Sequence, residues 1–306
     1  SAEPTPSDTS AVSGPMDRDG YRRPMSDRQT GEIPDDSADR IRFEIRNQVA
    51  WITIDSPDRG NALTPAMRDR LGGLLRGLNG RFEARAAVIT ASGERHFCTG
   101  ADLGTPPQPV PRPEGAPQRA VGEVRRMMLD GQLALMPSVL DCEVPVIAAV
   151  NGTAAGIGVH LALCCDLVVM ADHARFVEIF ARRGLVPDGL GAWILPRLVG
   201  LQKAKELVFF AEDVPADEAQ RLGLCNRVVP GADLRDAATE WAERLASGPT
   251  RSFMLSKWLL NRSLDLDRRT LEDNEAWAVE LISGTEDAGE GVASFLEKRD
   301  PVWRGF

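Results

Sequence analysis

The chain has 306 residues, 43% hydrophobic and 26% charged, with a formal net charge of −9. That composition suits a globular protein with a full core, and its acidic balance argues against nucleic acid or an anionic membrane surface as the main partner. No apolar run reaches the roughly 18 residues that a membrane span needs, so no membrane partner is expected. Cys98, Cys142, Cys164, Cys165 and Cys225 form no CxxC pair and have no histidine at ligand spacing. They read as buried apolar residues in a reducing compartment, and no metal is expected. The N-terminal residues lack a signal peptide's apolar centre, which makes the cytoplasm the expected location.

Residues 1–39 are rich in Ser, Pro and Asp and poor in aliphatic side chains, the composition of a disordered tail. "IRFEIRNQVAWITIDS" contains two alternating runs around a turn and predicts a β-hairpin. "NALTPAMRDRLGGLLRGL" has helical periodicity, with Thr64 as cap ahead of Pro65. "RAAVITAS" reads as a buried strand, followed by the turn-rich "HFCTGADLG". The proline-rich "TPPQPVPRPEGAPQ" reads as a surface lid or irregular insert. One helix is then expected over "AVGEVRRMMLDGQLALMPSVLD". The strand "PVIAAV", the turn "NGTAAG", the short helix "IGVHLALCC" and the strand "DLVVMA" complete an α/β core with parallel strands. From about residue 201 the pattern is helical to a closing helix and tail. The divisions expected are a tail over 1–39, a core over 40–250 and a helical oligomerisation segment over 251–306.

Two glycine-bearing turns are the first candidates for chemistry. "NGTAAGIGVH" has some likeness to a dinucleotide-binding cradle, but it lies mid-chain. The sole tyrosine, Tyr21, also sits in the tail, so no Tyr-x-x-x-Lys pair exists. The alternative is a pair of exposed backbone donors. Gly156 and Gly158 flank Ile157 at a helix start, and "CTGAD" places Gly100 before Ala101. Converging on one oxygen, the Ala101 and Ile157 amides would make an oxyanion hole; by spacing alone they are two tight turns. In "GLVPDGLG" a single carboxylate, Asp188, stands among apolar residues. It reads as a turn residue, a helix cap or a proton carrier.

Taken together, "RGNALTPAM", "AAVITASGERHFCTGADL", "VPVIAAVNGTAAGIGVHLALCCDLVVMADHARF", "GLVPDGLGAWILPRLVG" and "EDAGEGVASFLEKR" resemble the enoyl-CoA hydratase/isomerase (crotonase) family over residues 40–306. The resemblance implies a crotonase-type ββα spiral core, a homotrimer or dimer of trimers, and an acyl-CoA thioester as substrate with no separate cofactor. It implies that the thioester carbonyl is held by Ala101 and Ile157, with Gly100, Asp102, Leu103 and Gly156 around it. Asn61, Ala62 and Leu63 would hold the adenine through the main chain. Lys298 or Arg299 would reach the CoA phosphates.

The departures from the family pattern redirect the chemistry. His160 and Phe180 stand where the family's hydratases carry their two glutamates, which disfavours two-glutamate water addition. Asp188, preceded by Pro187, falls where the family's single-aspartate isomerases carry their working acid. The expected reaction is therefore a double-bond shift in an enoyl-CoA, with Asp188 as proton shuttle and a stabilised enolate as intermediate. His160 is an auxiliary donor or acid on this reading, and Phe180 lines the acyl site. Glu178 is expected to point away from Phe180. Hydration of a 2-enoyl-CoA by Asp188 with His160 or Glu178 is the alternative, and a non-catalytic acyl-CoA binder is the rival from another class.

Overall fold

The computed structural model describes residues 39–104, 111–117 and 119–306. The expectations placed on residues 1–38, and on most of the proline-rich segment, lie outside these. The hairpin forms as β1 (Ile41–Arg46) and β2 (Val49–Ile54), paired antiparallel with Arg46 opposite Val49. Asn47 and Gln48 turn the chain at φ 49° and 61°, the backbone a two-residue hairpin loop requires. Helix α1 (Pro65–Gly77) starts where Thr64 accepts from the Met67 N–H at 3.2 Å. Met67, Leu71 and Leu75 recur every fourth residue, and all three are fully buried.

The next elements alternate between two sheets. Strands β3 (Ala86–Ala91) and β4 (His96–Cys98) are followed by α2 (Glu123–Asp130) and α3 (Gln132–Leu140). Strands β5 (Val146–Val150) and β6 (Thr153–Ala155) lead into α4 (Ile157–Leu163), and β7 (Leu167–Ala171) and β8 (Arg175–Val177) precede α5 (Gly191–Phe210). Each pair sends its first strand to one sheet and its second to the other. After β9 (Asp213–Pro215), α6 (Ala216–Arg221) and β10 (Arg227–Val229), the large sheet has the order β1-β2-β3-β5-β7-β10 and the small one β4-β6-β8-β9. The large sheet is parallel from β2 onward. This repeated strand–strand–helix unit is the expected ββα spiral. Every residue of α4 is buried, and the helix touches strands of both sheets, β4 and β6 in one and β5 and β7 in the other.

Three expectations change. The helix expected over 120–141 is broken at Gly131 (φ −107°, ψ −112°), where a Cβ would come 2.6 Å from the Met127 carbonyl and 2.8 Å from the Arg68 guanidinium. The turn expected over "NGTAAG" contains β6. The chain after 201 also includes β9 and β10; at three residues each, these strands are too short to show an alternation. Helix α5 bends at Gly200 (φ 76°, ψ 160°). All five cysteines are buried free thiols. No helix among the described residues is long and apolar enough to cross a membrane.

The remaining elements are α7 (Leu234–Ala246), α8 (Thr250–Arg262), α9 (Arg268–Ser283) and α10 (Glu286–Glu297). Among the contacts that tie helix α8 to the core is the buried cation of Lys257. Lys257 Nζ lies 2.8 Å from Asp166 Oδ2 and donates to the Val139 carbonyl at 3.0 Å, and the same Asp166 oxygen accepts from Val146 N at 2.7 Å. Burial raises the Asp166 carboxyl above its ordinary value, and the Lys257 charge opposes that rise. Removing one partner of a fully buried pair costs about 3–5 kcal/mol. Asp166 keeps some solvent contact, so Lys257→Ala is expected to lower stability by about 2–3 kcal/mol in urea unfolding. An unchanged midpoint would show that the pair contributes nothing.

Candidate active site

The two proposed amide donors are brought alongside by the pairing of β4 with β6. Beyond those strands, residues 98–101 run next to 155–158. A Cβ on Gly158 would fall 2.0 Å from the Cys98 carbonyl oxygen, and one on Gly100 would fall 3.3 Å from the Ala155 carbonyl. Gly100 stands at φ +109°, a conformation that L side chains rarely adopt. Leu63 forms a parallel bridge with Ala101: Leu63 N donates to Gly100 O, and Asp102 N donates to Leu63 O, each at 2.9 Å. Such a bridge turns the N–H of Ala101 itself away from Leu63. Ile157 is the first residue of α4, so its N–H has no intrahelical acceptor and sits at the positive end of the helix.

Asp188 lies between the short 3₁₀ turn Ala181–Arg183 and α5. It does not cap α5: Leu190 occupies the cap position and no side chain bonds there. The Asp188 carbonyl accepts from Gly191 N at 3.1 Å. Its carboxylate Oδ1 is buried and has no hydrogen-bond partner. Burial pushes the Asp188 carboxyl above its ordinary value; His160 opposes the rise and Glu178 adds to it. A Cβ on the next residue, Gly189, would come 3.2 Å from Ile157 Cγ2, 3.2 Å from Met136 Cε and 3.5 Å from His160 Nδ1. Asp188 therefore stands at the start of α4, against His160.

His160 is fully buried. Its Nε2 lies 3.1 Å from both carboxylate oxygens of Glu178. Phe180 stacks on the ring at a centroid distance of 5.5 Å and an interplanar angle of 8°. A Cβ on Gly156 would meet Phe180 Cζ at 3.5 Å. The expectation that Glu178 faces away from Phe180 is overturned. Strand β8 ends at Val177 and the chain turns through Ile179 and Phe180, the latter helical at φ −57° and ψ −48°, and the side chains of Glu178 and Phe180 both close on His160. Gly191 completes the enclosure, because a Cβ there would fall 2.1 Å from both Cε1 and Nε2 of the imidazole. The sequence offers Glu178 only as an alternative second acid and not as the partner of His160, and it does not single out the two glycines Gly189 and Gly191. Their cue is the occurrence of small residues next to the acid.

The remaining predicted residues are spread around this cluster. Asn61 is fully buried, at φ 55°, and its side chain accepts from Ser56 N and donates to the Ser92 and His96 carbonyls. The N–H groups of Asn61, Ala62 and Leu63 all donate within the protein, so main-chain contact with a ligand there falls to the Asn61 and Ala62 carbonyls. Asp102 pairs with Arg59 and accepts from Gly104 N at 2.9 Å. Leu103 is exposed and Pro187 half-buried. Lys298 is not brought to the cluster. It is the exposed left-handed cap of α10, which packs on α9, and the neighbouring Arg299 is held by Glu290 and Glu297. Arg182 is exposed and paired with Asp213 at 3.0 Å.

Residues 44–305 match the family model described as enoyl-CoA hydratase/isomerase. A Rhodobacter capsulatus protein designated "Probable enoyl-CoA hydratase" is 39% identical over 265 residues, covering 87% of this chain and 98% of that protein. The 1,2-epoxyphenylacetyl-CoA isomerase of Escherichia coli is 33% identical over 269 residues, covering 87% and 98%. The crystal structure of an enoyl-CoA hydratase from Bacillus anthracis superposes with a TM-score of 0.77 at 30% identity, covering 87% of this chain and all of that one.

Gly191→Ala is expected to destabilise the protein by about 2 kcal/mol, the scale of overpacking against a ring that cannot move. The double variant Gly191→Ala/His160→Ala should recover part of the loss relative to the sum of the single changes. Strict additivity in a denaturant double-mutant cycle would refute the contact.

Proposed function

The chain belongs to the enoyl-CoA hydratase/isomerase family, and from that membership we propose that it shifts a double bond in an enoyl-CoA with Asp188 as the proton shuttle. The observation that carries this reading is the buried, unpartnered Asp188 Oδ1 beside the start of α4. A thioester carbonyl accepting from Ala101 N and Ile157 N would place the acyl α-carbon in the space that Asp188 borders. Asp188 takes the proton from that carbon of a 3-enoyl-CoA. The two amides hold the negative oxygen of the dienolate, and the acid returns the proton at the γ-carbon. Burial favours the protonated form of Asp188, which suits a group that must act first as base and then as acid. CoA arrives as part of the substrate, and the proton shift calls on no other cofactor.

A second reading, hydration of a 2-enoyl-CoA, is supported by one observation. The His160–Glu178 pair gives Asp188 a second proton-handling neighbour. Supplying 3-enoyl-CoA and 2-enoyl-CoA separately and following product mass separates the two readings, because only hydration adds water. Asp188→Asn is expected to lower kcat by about 10²–10⁴-fold, the usual worth of a general base, in a variant that folds normally. Near-wild-type turnover would remove Asp188 from the mechanism. In the same assay the acid limb of the wild-type kcat/KM profile should lie above the ordinary aspartate range, since the base must be ionised and burial raises its carboxyl. A limb at or below that range would contradict the buried setting.

The proposed assembly is a homotrimer or dimer of trimers. Its support is the apolar surface of the last helices, where Trp277, Leu281, Phe295 and Leu296 are each at least 60% exposed, more than a lone subunit would be expected to carry. Sedimentation of a monomer at micromolar concentration would refute it.

A further inference from the structure

Two buried polar atoms in this site have no partner: Asp188 Oδ1 and His160 Nδ1. The imidazole is otherwise held on every side. Phe180 lies against its face, Gly191 abuts Cε1 and Nε2, and both Glu178 oxygens lie 3.1 Å from Nε2. Glu178 is itself only 4% exposed, so its contact with the ring is shielded from solvent. A carboxylate can only accept, so the hydrogen on Nε2 must point at it. A hydrogen on Nδ1 would be a buried donor with no acceptor in reach, whereas a bare Nδ1 leaves only a lone pair unmet, and buried unpaired N–H groups are the rarer of the two.

We infer that Glu178 is a positioning residue that fixes His160 as the Nε2–H tautomer, so that Nδ1 offers a lone pair to an O–H donor on or beside the acyl chain. Nδ1 lies on the side of Gly189, the residue after Asp188, so the donor sits between the imidazole and the proton shuttle. The O–H belongs either to a hydroxylated acyl group or to a water molecule held next to the acyl chain. Either one satisfies an acceptor that is otherwise buried at a cost. The inference rests on the proposed placement of the acyl chain beside Asp188, and it adds a determinant of which acyl groups the site takes. It also gives Glu178 a role outside contact with substrate.

The tautomer can be read without any ligand. The chain has three histidines, and ¹⁵N-imidazole spectra of the full-length protein at neutral pH should show His160 with a protonated Nε2 and a bare Nδ1. Glu178→Gln, whose amide can also donate to Nε2, should lose that single signature while keeping the wild-type melting profile. Binding is then measured in the Asp188→Ala background, using 3-hydroxybutyryl-CoA and butyryl-CoA. If the donor is the acyl hydroxyl, the hydroxylated ligand should bind about tenfold tighter, the scale of one buried hydrogen bond. Adding His160→Phe, which keeps an aromatic ring on Phe180, should erase the difference. If the donor is water, the two ligands should bind alike, and the Nδ1 resonance should move to its hydrogen-bonded position with butyryl-CoA. A protonated Nδ1 in the wild type, or an unchanged tautomer in Glu178→Gln, would overturn the inference. So would an Nδ1 resonance unmoved by both ligands. Residual turnover in Asp188→Ala would count against the proton-shuttle reading alone, because the ligand-free spectrum does not depend on it.

Discussion

The contact between Gly158 and the Cys98 carbonyl governs the placement of everything around it. Any side chain at 158 would overlap that oxygen, so α4 can seat on the end of β4 only through a glycine. This seating puts the positive end of a fully buried helix against the turn that follows β4. The segments carrying the Ala101 and Ile157 amides are thereby brought alongside one another, although 56 positions separate them along the chain. The two sheets hold the approach rigid: β4 and β6 are hydrogen-bonded directly before it, while β5 and β7 pack on the same helix from the other sheet.

Against this scaffold the polar groups occupy distinct electrostatic settings. Asp188 is partly buried, with one carboxylate oxygen unpartnered, and burial raises its proton affinity. Glu178 is equally near the centre of the site but is committed to an imidazole. The two acids thus differ in their partners: Glu178 contacts the imidazole, and Asp188 Oδ1 contacts no hydrogen-bonding group. His160 and Phe180 stack against one another and present a ring wall on this side of the site. Relatives of the chain include both a probable hydratase and an isomerase, so family membership alone does not choose the reaction.

Much of the fold was legible along the chain. The hairpin, the Thr64 cap and the buried strands showed through because each is encoded by local periodicity and turn chemistry. β6, β8, β9 and β10 were not, since three residues carry no period and their pairing is decided by distant partners. Within the site, Asp188 stood out as a lone charge in an apolar run, and the two amide donors were marked by glycines at a strand end and a helix start. The engagement of Glu178 was hidden, because nothing near it in sequence names His160 as its partner eighteen residues earlier. The reason for glycine at 189 and 191 was hidden in the same way: it is the shape of a ring from another element.

That last relation ties two positions together in descent. While an imidazole occupies position 160, even a methyl group at 191 crowds the ring, so an imidazole enters at 160 with least strain opposite glycine. A lineage that gains a histidine at 160 is therefore expected to carry glycine at 191 beforehand, which biases the order of the two substitutions. Sampling relatives for pairs that break this order would show whether other members of the family have found a different way to accommodate the ring.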